Sequence, residues 1–348
     1  MLPRPLRFAV AISLLGAVAC SSKAPVAEPV EPVEPVEPVE SPEPAAPEMP
    51  RGLVSTGYMH QCCLTDSDRV VCNGSNKNSE ITIPDMRFAA VSAGLYTTCA
   101  IDTNKKPHCW GKDAPPLEIG ETVTVERIAT GSKFACAITT SRELVCWSGS
   151  AGATDFPTPP TGKFRDVVAG WEHACALRDS GEVACFGRAQ REPIACTDLE
   201  NAVGARCEGQ TMVPRSWTAA PEGLRATTIA AGSSHACALS VAGEVVCWGA
   251  WGHGDGNTIW SNQRFPPKTL RTDIRKLTGG GGSSCALHAD GTTTCWGDQK
   301  DLPGEFVDID GGASGTCGIR RDGTMECFTY SSFAGAKLDT SPLHCATK

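Results

Sequence analysis

A pair of cysteines with nine residues between them recurs seven times along the chain, as Cys62–Cys72, Cys99–Cys109, Cys136–Cys146, Cys175–Cys185, Cys237–Cys247, Cys285–Cys295 and Cys317–Cys327. The surrounding residues recur too. Val168-Ala169-Gly170 leads to His173-Ala174-Cys175-Ala176-Leu177, a turn at Asp179-Ser180-Gly181, then Val183 and Cys185-Phe186-Gly187. The next copy reads Ala231-Gly232, His235-Ala236-Cys237-Ala238-Leu239, Gly243-Glu244-Val245 and Cys247-Trp248-Gly249. Short apolar segments flanking a glycine turn predict a tight β-hairpin. Folding about Ser180 sets Cys175 opposite Cys185 and Leu177 opposite Val183, and the two-residue period puts all four on one face. Each copy is therefore expected to carry a cross-strand disulfide. Asp290-Gly291 and Asp322-Gly323 fit the same turn, since calcium ligation would need neighbouring carboxylates that are absent.

Successive first cysteines lie 37, 37, 39, 62, 48 and 32 residues apart, the repeat length of propellers and solenoids. A further candidate strand precedes each glycine, for instance Phe164 to Ala169, and the segment after each Trp-Gly could supply a fourth. Without helical periodicity between them, these short strands predict an all-β fold of radial blades, with an open β-solenoid as the alternative.

The pattern Gly, two variable residues, His-x-Cys-Ala-Leu, a Gly turn and Val-x-Cys-Trp-Gly resembles the repeat of the regulator of chromosome condensation family over residues 53 to about 330. Trp248-Gly249 followed by Gly252, Gly254, Gly256 and Pro266-Pro267 is similar to that family's glycine-rich linker. The resemblance implies a seven-bladed β-propeller. The chain departs from the pattern at Cys72-Asn73-Gly74, which lacks tryptophan, at Ser148 in place of glycine, and in linkers shorter than the family's usual form.

Nineteen cysteines are too many for a reducing cytosol. Arg4 and Arg7, the apolar run Phe8 to Val18, and Ala17-Val18-Ala19-Cys20 resemble a lipoprotein signal peptide with its lipobox. Residues 1–19 are expected to be removed and Cys20 lipidated, with Ser21 permitting export to the outer membrane of a diderm cell. Residues 20–50 follow as a Pro/Glu stalk, where proline at every third position from Pro29 favours extended polyproline II and excludes a packed fold. The repeats then fill 51–348. Of the formal charge of −8, seven Glu against Arg4, Arg7 and Lys23 lie in the first 50 residues, which leaves the repeats near −4. That balance argues against nucleic acid as a partner.

Four cysteines remain. Cys196 and Cys207 share the longest insertion and are expected to pair. Cys63 follows Cys62 on a strand, points to the opposite face, and is expected to join Cys345 and close the ring.

No cofactor, metal site or catalytic residue is expected. Structural zinc sites use closer cysteine pairs. His60, His173 and His235 share a repeat position that other copies fill with Thr97, Phe134, Ser283 and Gly315, which suggests a structural imidazole bonded to a local backbone carbonyl. Trp110, Trp147, Trp248 and Trp296 occupy one equivalent point and are expected to pack between blades. The acid box of propeller sialidases does not occur, nor does a nucleophile elbow or phosphate loop.

Binding residues should instead differ between copies. The two residues after each repeat glycine do so, as Tyr58-Met59, Leu95-Tyr96, Ser132-Lys133, Trp171-Glu172 and Ser233-Ser234. Tyr58, Tyr96, Lys133, Trp171 and Glu172, with Trp217, Trp251 and Trp260 from the insertions, are the candidate contacts for a protein partner in the cell envelope or outside the cell. An envelope glycan is the second reading and a glycoside hydrolase the third. The family resemblance also implies nucleotide exchange on a small GTPase, which the expected compartment excludes. Secreted propellers with this repeat, of the β-lactamase inhibitor protein II type, block enzymes through their rim loops.

Overall fold

The computed structural model describes residues 52–112, 114, 122–148, 158–187, 206–208, 211–213, 219–249, 266–267, 270–330 and 341–347. Cys20, the stalk, Cys196, Trp217, Trp251 and Trp260 lie outside them. Cys207 falls on the strand Arg206–Glu208, which pairs with Thr211–Val213.

Seven antiparallel sheets follow one another in chain order, each built from an inner, a middle and an outer strand. Blade 1 comprises Val54–Thr56, His60–Leu64 and Val70–Gly74, and blade 2 comprises Phe88–Ala93, Thr97–Asp102 and Pro107–Gly111. Blade 3 runs Val125–Thr130, Phe134–Thr139 and Leu144–Ser148, and blade 4 runs Phe164–Ala169, His173–Arg178 and Val183–Gly187. Blade 5 is Ala226–Ala231, His235–Ser240 and Val245–Gly249, and blade 6 is Ile274–Gly279, Ser283–His288 and Thr293–Gly297. Blade 7 is Asp308–Gly311, Gly315–Ile319 and Thr324–Thr329, and it alone gains a described fourth strand, Leu343–His344. The fourth strand considered for each repeat is thus absent where the following segment is described. After blade 1 the chain instead turns back on itself, and the carbonyl of Glu80 accepts from Thr98 Oγ1 at 2.7 Å and Trp110 Nε1 at 2.9 Å.

The cysteine spacing is satisfied as a register. Cys175 lies opposite Cys185 and Leu177 opposite Val183, and all seven hairpins carry their bridge. The turn residue six positions after each first cysteine has positive φ: Asp68, Lys105 and Arg142 in blades 1 to 3, then Gly181, Gly243, Gly291 and Gly323. Glycine makes this turn without strain, so the first three blades hold a left-handed conformation that the rest of each blade enforces.

The cores lie between blades. Cys99, Ile101 and Val125 pack with Trp147 across blades 2 and 3, and Cys237, Leu239 and Leu277 pack with Trp296 across blades 5 and 6. In each case the disulfide of one blade meets the aromatic ring of the next. Where blade 7 meets blade 1 that rule fails for a visible reason. Asn73 replaces the aromatic residue and donates through Nδ2 to the Ser341 carbonyl at 2.7 Å. The C-terminal segment fills the space, and Cys345 bonds Cys63 in the core shared with Cys317 and Met325. Cys62, one residue earlier, faces the opposite core, with Phe88 and Val91.

Candidate functional site

The glycine five residues before each first cysteine sets the geometry of the axis. These residues, Gly57, Gly94, Gly131, Gly170, Gly232, Gly280 and Gly312, form a closed annulus. A Cβ on any of them would lie 2.3–2.8 Å from the carbonyl oxygen of the equivalent glycine in the next blade, with Gly312 returning to Gly57. Close backbone approach, not unusual φ, is what excludes a side chain there. The next residue then donates its amide around the ring. Tyr58 donates to the Gly94 carbonyl, Leu95 to Gly131, Ser233 to Gly280, Gly281 to Gly312 and Ala313 to Gly57. Blade 4 shifts this pattern by one residue, since Ser132 donates to the Trp171 carbonyl and Trp171 to that of Ser233.

Beneath the annulus the middle strands fill the blade interiors. Nε2 of His60 meets Thr98 Oγ1 at 2.8 Å, and Nε2 of His235 meets Ser284 Oγ at 2.8 Å. For His60 and His235 the expected local carbonyl is thus replaced by a hydroxyl on the following blade, whereas His173 bonds the backbone of His235, also on the following blade. Burial holds His60 and His173 down at about 4 and His235 at about 3, so all three are neutral at pH 7. At blade 6, where the copy has Ser283, Tyr330 enters from blade 7 and donates to the Gly312 carbonyl at 3.1 Å. Burial pushes its phenol up to about 12.

The inner strands line the axis with charges. Asp308 accepts from the amides of Leu53 at 2.7 Å and Val54 at 3.3 Å, and holds Lys276 Nζ at 2.7 Å. Asp310 accepts from the Thr56 amide at 2.8 Å and from Thr278 Oγ1 at 3.2 Å. Together these carboxylates clasp blades 6, 7 and 1. Burial raises Asp310 to about 6 against the pull of Lys276, and raises Asp166 to about 6 against that of Arg127. Burial also works against the Lys276 ammonium, but Asp308 and Asp310 outweigh it and hold its pKa above the ordinary value. These groups were not anticipated. The signal was there in the column four residues before each glycine, which holds Arg127, Asp166, Lys276 and Asp308 in four of the seven blades.

At the annulus lies an axial depression of about 360 Å³ including its open mouth, and the first variable residue of five blades, Tyr58, Leu95, Trp171, Ser233 and Ala313, lines it. Two of the predicted contacts, Tyr58 and Trp171, are among these, and Tyr96 joins them through Tyr58. Tyr58 packs edge to face against Tyr96 with centroids 6.0 Å apart, and against Trp171 at 6.4 Å. Blades 1 and 4 are not neighbours, so the second contact reaches across the mouth. Trp171 is 36% exposed, one of two exposed large hydrophobic residues among those described. Lys133 and Glu172 are exposed on the same loops. Lys112, which sequence reasoning missed, places Nζ 5.9 Å from the Tyr96 centroid. On the remaining arc the lining includes Ser233 and Ala313. Among the described residues no three His, Cys, Asp or Glu side chains gather as a metal site requires.

Residues 164–191 and 226–254 match the family model of the regulator of chromosome condensation (RCC1) repeat. No curated protein matches the sequence. Among solved structures, the ectodomain of the receptor kinase CR4 from Physcomitrella patens is similar with a TM-score of 0.63 at 19% identity, over 80% of this chain and 73% of that one. The CRINKLY WD40 ectodomain of the Arabidopsis thaliana receptor kinase ACR4 gives 0.60 at 20%, over 83% and 98%. Human WBSCR16 gives 0.53 at 16%, over 76% and 85%. At such identities the likeness speaks for fold alone, and it agrees with the blades counted above. The chain is a seven-bladed β-propeller in which residues 164–191 and 226–254 match the RCC1 repeat.

Proposed function

We propose that this protein is a membrane-tethered binding scaffold outside the cytoplasm, which offers the annulus face of its propeller to a protein partner and performs no catalysis. The observation that carries this reading is the meeting of Tyr58, Tyr96 and Trp171 over the axis. Aromatic residues of this kind supply large contact area at low entropic cost. Here they stand on a ring whose blades are each bridged covalently, so little ordering is left to oppose binding. Eight disulfides among the described residues fit an oxidising compartment. The two receptor-kinase ectodomains of like fold are propellers described as ectodomains. The lipobox ending at Cys20 supplies the tether and the stalk supplies reach, with the outer membrane as destination.

Affinity purification from envelope extract tests the reading. The wild-type protein is expected to retain a protein that the Trp171→Ala and Tyr96→Ala variants release. Retention of isolated peptidoglycan or polysaccharide, with no protein, would point to the glycan reading instead.

A further inference from the structure

We infer that the axial depression holds a carboxylate site made by the backbone amides of Ala169 and Ala231, and that an acidic group of the protein partner occupies it. The inference rests on the proposed protein-binding role and narrows it to one chemistry.

The site follows from a pattern that four blade junctions keep and three break. Gly170 donates its amide to the His173 carbonyl, so the adjacent pair, Ala169 with Ala174, is a non-hydrogen-bonded one and Ala169 turns its amide away from the middle strand. The residue before every annulus glycine is placed in the same way. At four junctions a side chain on the preceding blade, two residues before that blade's own glycine, accepts from this amide. Ser55 Oγ accepts from Ala93 at 2.8 Å, Ser92 Oγ from Thr130 at 3.0 Å, Thr278 Oγ1 from Gly311 at 2.7 Å and Asp310 Oδ2 from Thr56 at 2.8 Å. At the other three junctions the accepting position is held by Ala129, Val168 and Ala230, whose side chains have no oxygen to offer. Among the described residues, the amides of Ala169, Ala231 and Gly279 therefore receive no such cap.

Two of the three are open to a ligand. Ala169 and Ala231 line the depression and are partly exposed, whereas Gly279 is buried. They belong to neighbouring blades, and each lies two residues before a rim residue, Trp171 or Ser233, that lines the same depression. A group reaching them therefore passes the rim on which the proposed function rests.

The molecule itself indicates what such an amide takes. Where blade 7 meets blade 1 the cap is a carboxylate, and Asp310 divides its two oxygens between the Thr56 amide and the Thr278 hydroxyl, the latter at 3.2 Å. A carboxylate only accepts, and its two oxygens can serve two donors at once. Its bonds to backbone amides are also stronger than those of a neutral acceptor. A lysine or arginine side chain carries donors alone and cannot answer an amide. The charges along the inner strands cancel, with Arg127, Arg165, Arg275 and Lys276 set against Glu126, Asp166, Asp308 and Asp310. The preference is thus assigned to the amides and not to a net field.

The oxidised protein, titrated with capped Gly-Glu-Gly, capped Gly-Gln-Gly and acetyl-Gly-Gly bearing a free C-terminus, tests this by the amide resonances of Ala169 and Ala231 in NMR. The capped amides of Ala93 and Thr130 serve as internal controls. A carboxylate peptide is expected to shift Ala169 and Ala231 and to bind about fivefold or more tightly than the glutamine peptide, with the controls unmoved. Whether the glutamate or the free C-terminus binds better tells which source of carboxylate the site prefers. The double variant Ala129→Ser/Val168→Thr, which copies Ser92 and Thr278, should cap both amides and weaken binding about fivefold or more. Should that variant fail to fold, the wild-type comparison of glutamate with glutamine decides alone. Equal response to glutamate and glutamine, unchanged binding in the folded double variant, or no shift from either carboxylate up to about 50 mM would overturn the inference. If the envelope partner is lost in Trp171→Ala while the carboxylate peptides leave both amides unmoved, this inference alone fails. If the partner survives Trp171→Ala, the rim reading fails.

Discussion

The annulus and the rim are adjacent residues with opposite habits. At the annulus all seven blades have the same residue, and the reason is steric, since each glycine Cα sits against the next blade's carbonyl. One position later the blades share almost nothing: Tyr58, Leu95, Ser132, Trp171, Ser233, Gly281 and Ala313. Yet their backbone amides still bond around the ring. The main chain holds the geometry and so releases the side chains for recognition. Even among these, the aromatic arc of blades 1, 2 and 4 stands over a bare arc in blades 5 to 7, which gives the face a direction.

The largest effects should come from breaking the ring, at its annulus or at its seam. A methyl group at Gly312 would lie 2.3 Å from the Gly57 carbonyl and 2.6 Å from Thr56 Cγ2. Gly312→Ala should therefore cost about 3 kcal/mol, read as a fall in urea midpoint with the slope unchanged. Removing the seam bridge acts at the same joint through chain entropy. Cys63 and Cys345 enclose a separation of 282 residues against 10 for each hairpin. The Cys63→Ser/Cys345→Ser pair should lose about 4 kcal/mol, more than any single hairpin bridge. Reductant should abolish the cooperative transition altogether.

The rim should behave in the converse way. Trp171→Ala is expected to leave the melting temperature within about 2 °C, as an exposed substitution does, while weakening partner binding at least tenfold. A comparable loss of stability would mean that Trp171 belongs to the ring and not to its surface.

Acid should probe the region beneath both. His60, His173 and His235 sit at about 4, 4 and 3 when folded, below the ordinary 6.5 of the unfolded chain. The unfolded state therefore binds more protons between pH 6.5 and 4, and stability falls as pH drops through that window. Asp166 and Asp310, raised to about 6, oppose this by binding protons in the folded state. Three histidines with larger shifts outweigh two aspartates. His173→Phe, which copies Phe134 in blade 3, should flatten the acid limb of a thermal-stability profile by more than about half, since the two aspartates already offset part of the histidine effect.

The smallest effect concerns the turns. Lys105 holds φ at 64° where four blades use glycine. Lys105→Gly should be neutral or stabilise by up to ~1 kcal/mol, because the relieved strain exceeds the added freedom of the unfolded chain. A loss of more than that would show that the exposed pair with Glu126 matters.

Much of this architecture was written in the spacing of Cys175 and Cys185, which fixes register, turn and bridge together. Cys63 and Cys345 were legible by elimination. Tyr58, Tyr96 and Trp171 could be named as variable neighbours of a repeated glycine. That such loops gather near the axis follows from the repeat, but the ring contact of Tyr58 with Trp171 does not, because blades 1 and 4 are not neighbours. The axial carboxylates escaped for a related reason: Asp166 and Asp308 look like exposed strand residues until the ring closes around them. Asn73 looked like decay of the repeat, whereas it makes room for the C-terminal segment.

The account turns on a covalently closed ring of braced hairpins. Peptide mapping of the unreduced protein by mass spectrometry tests it most directly. The account predicts one cross-linked peptide joining Cys63 to Cys345 and seven hairpin bridges. Cys345 joined to Cys196 or Cys207, or free thiols at the hairpin positions, would contradict it.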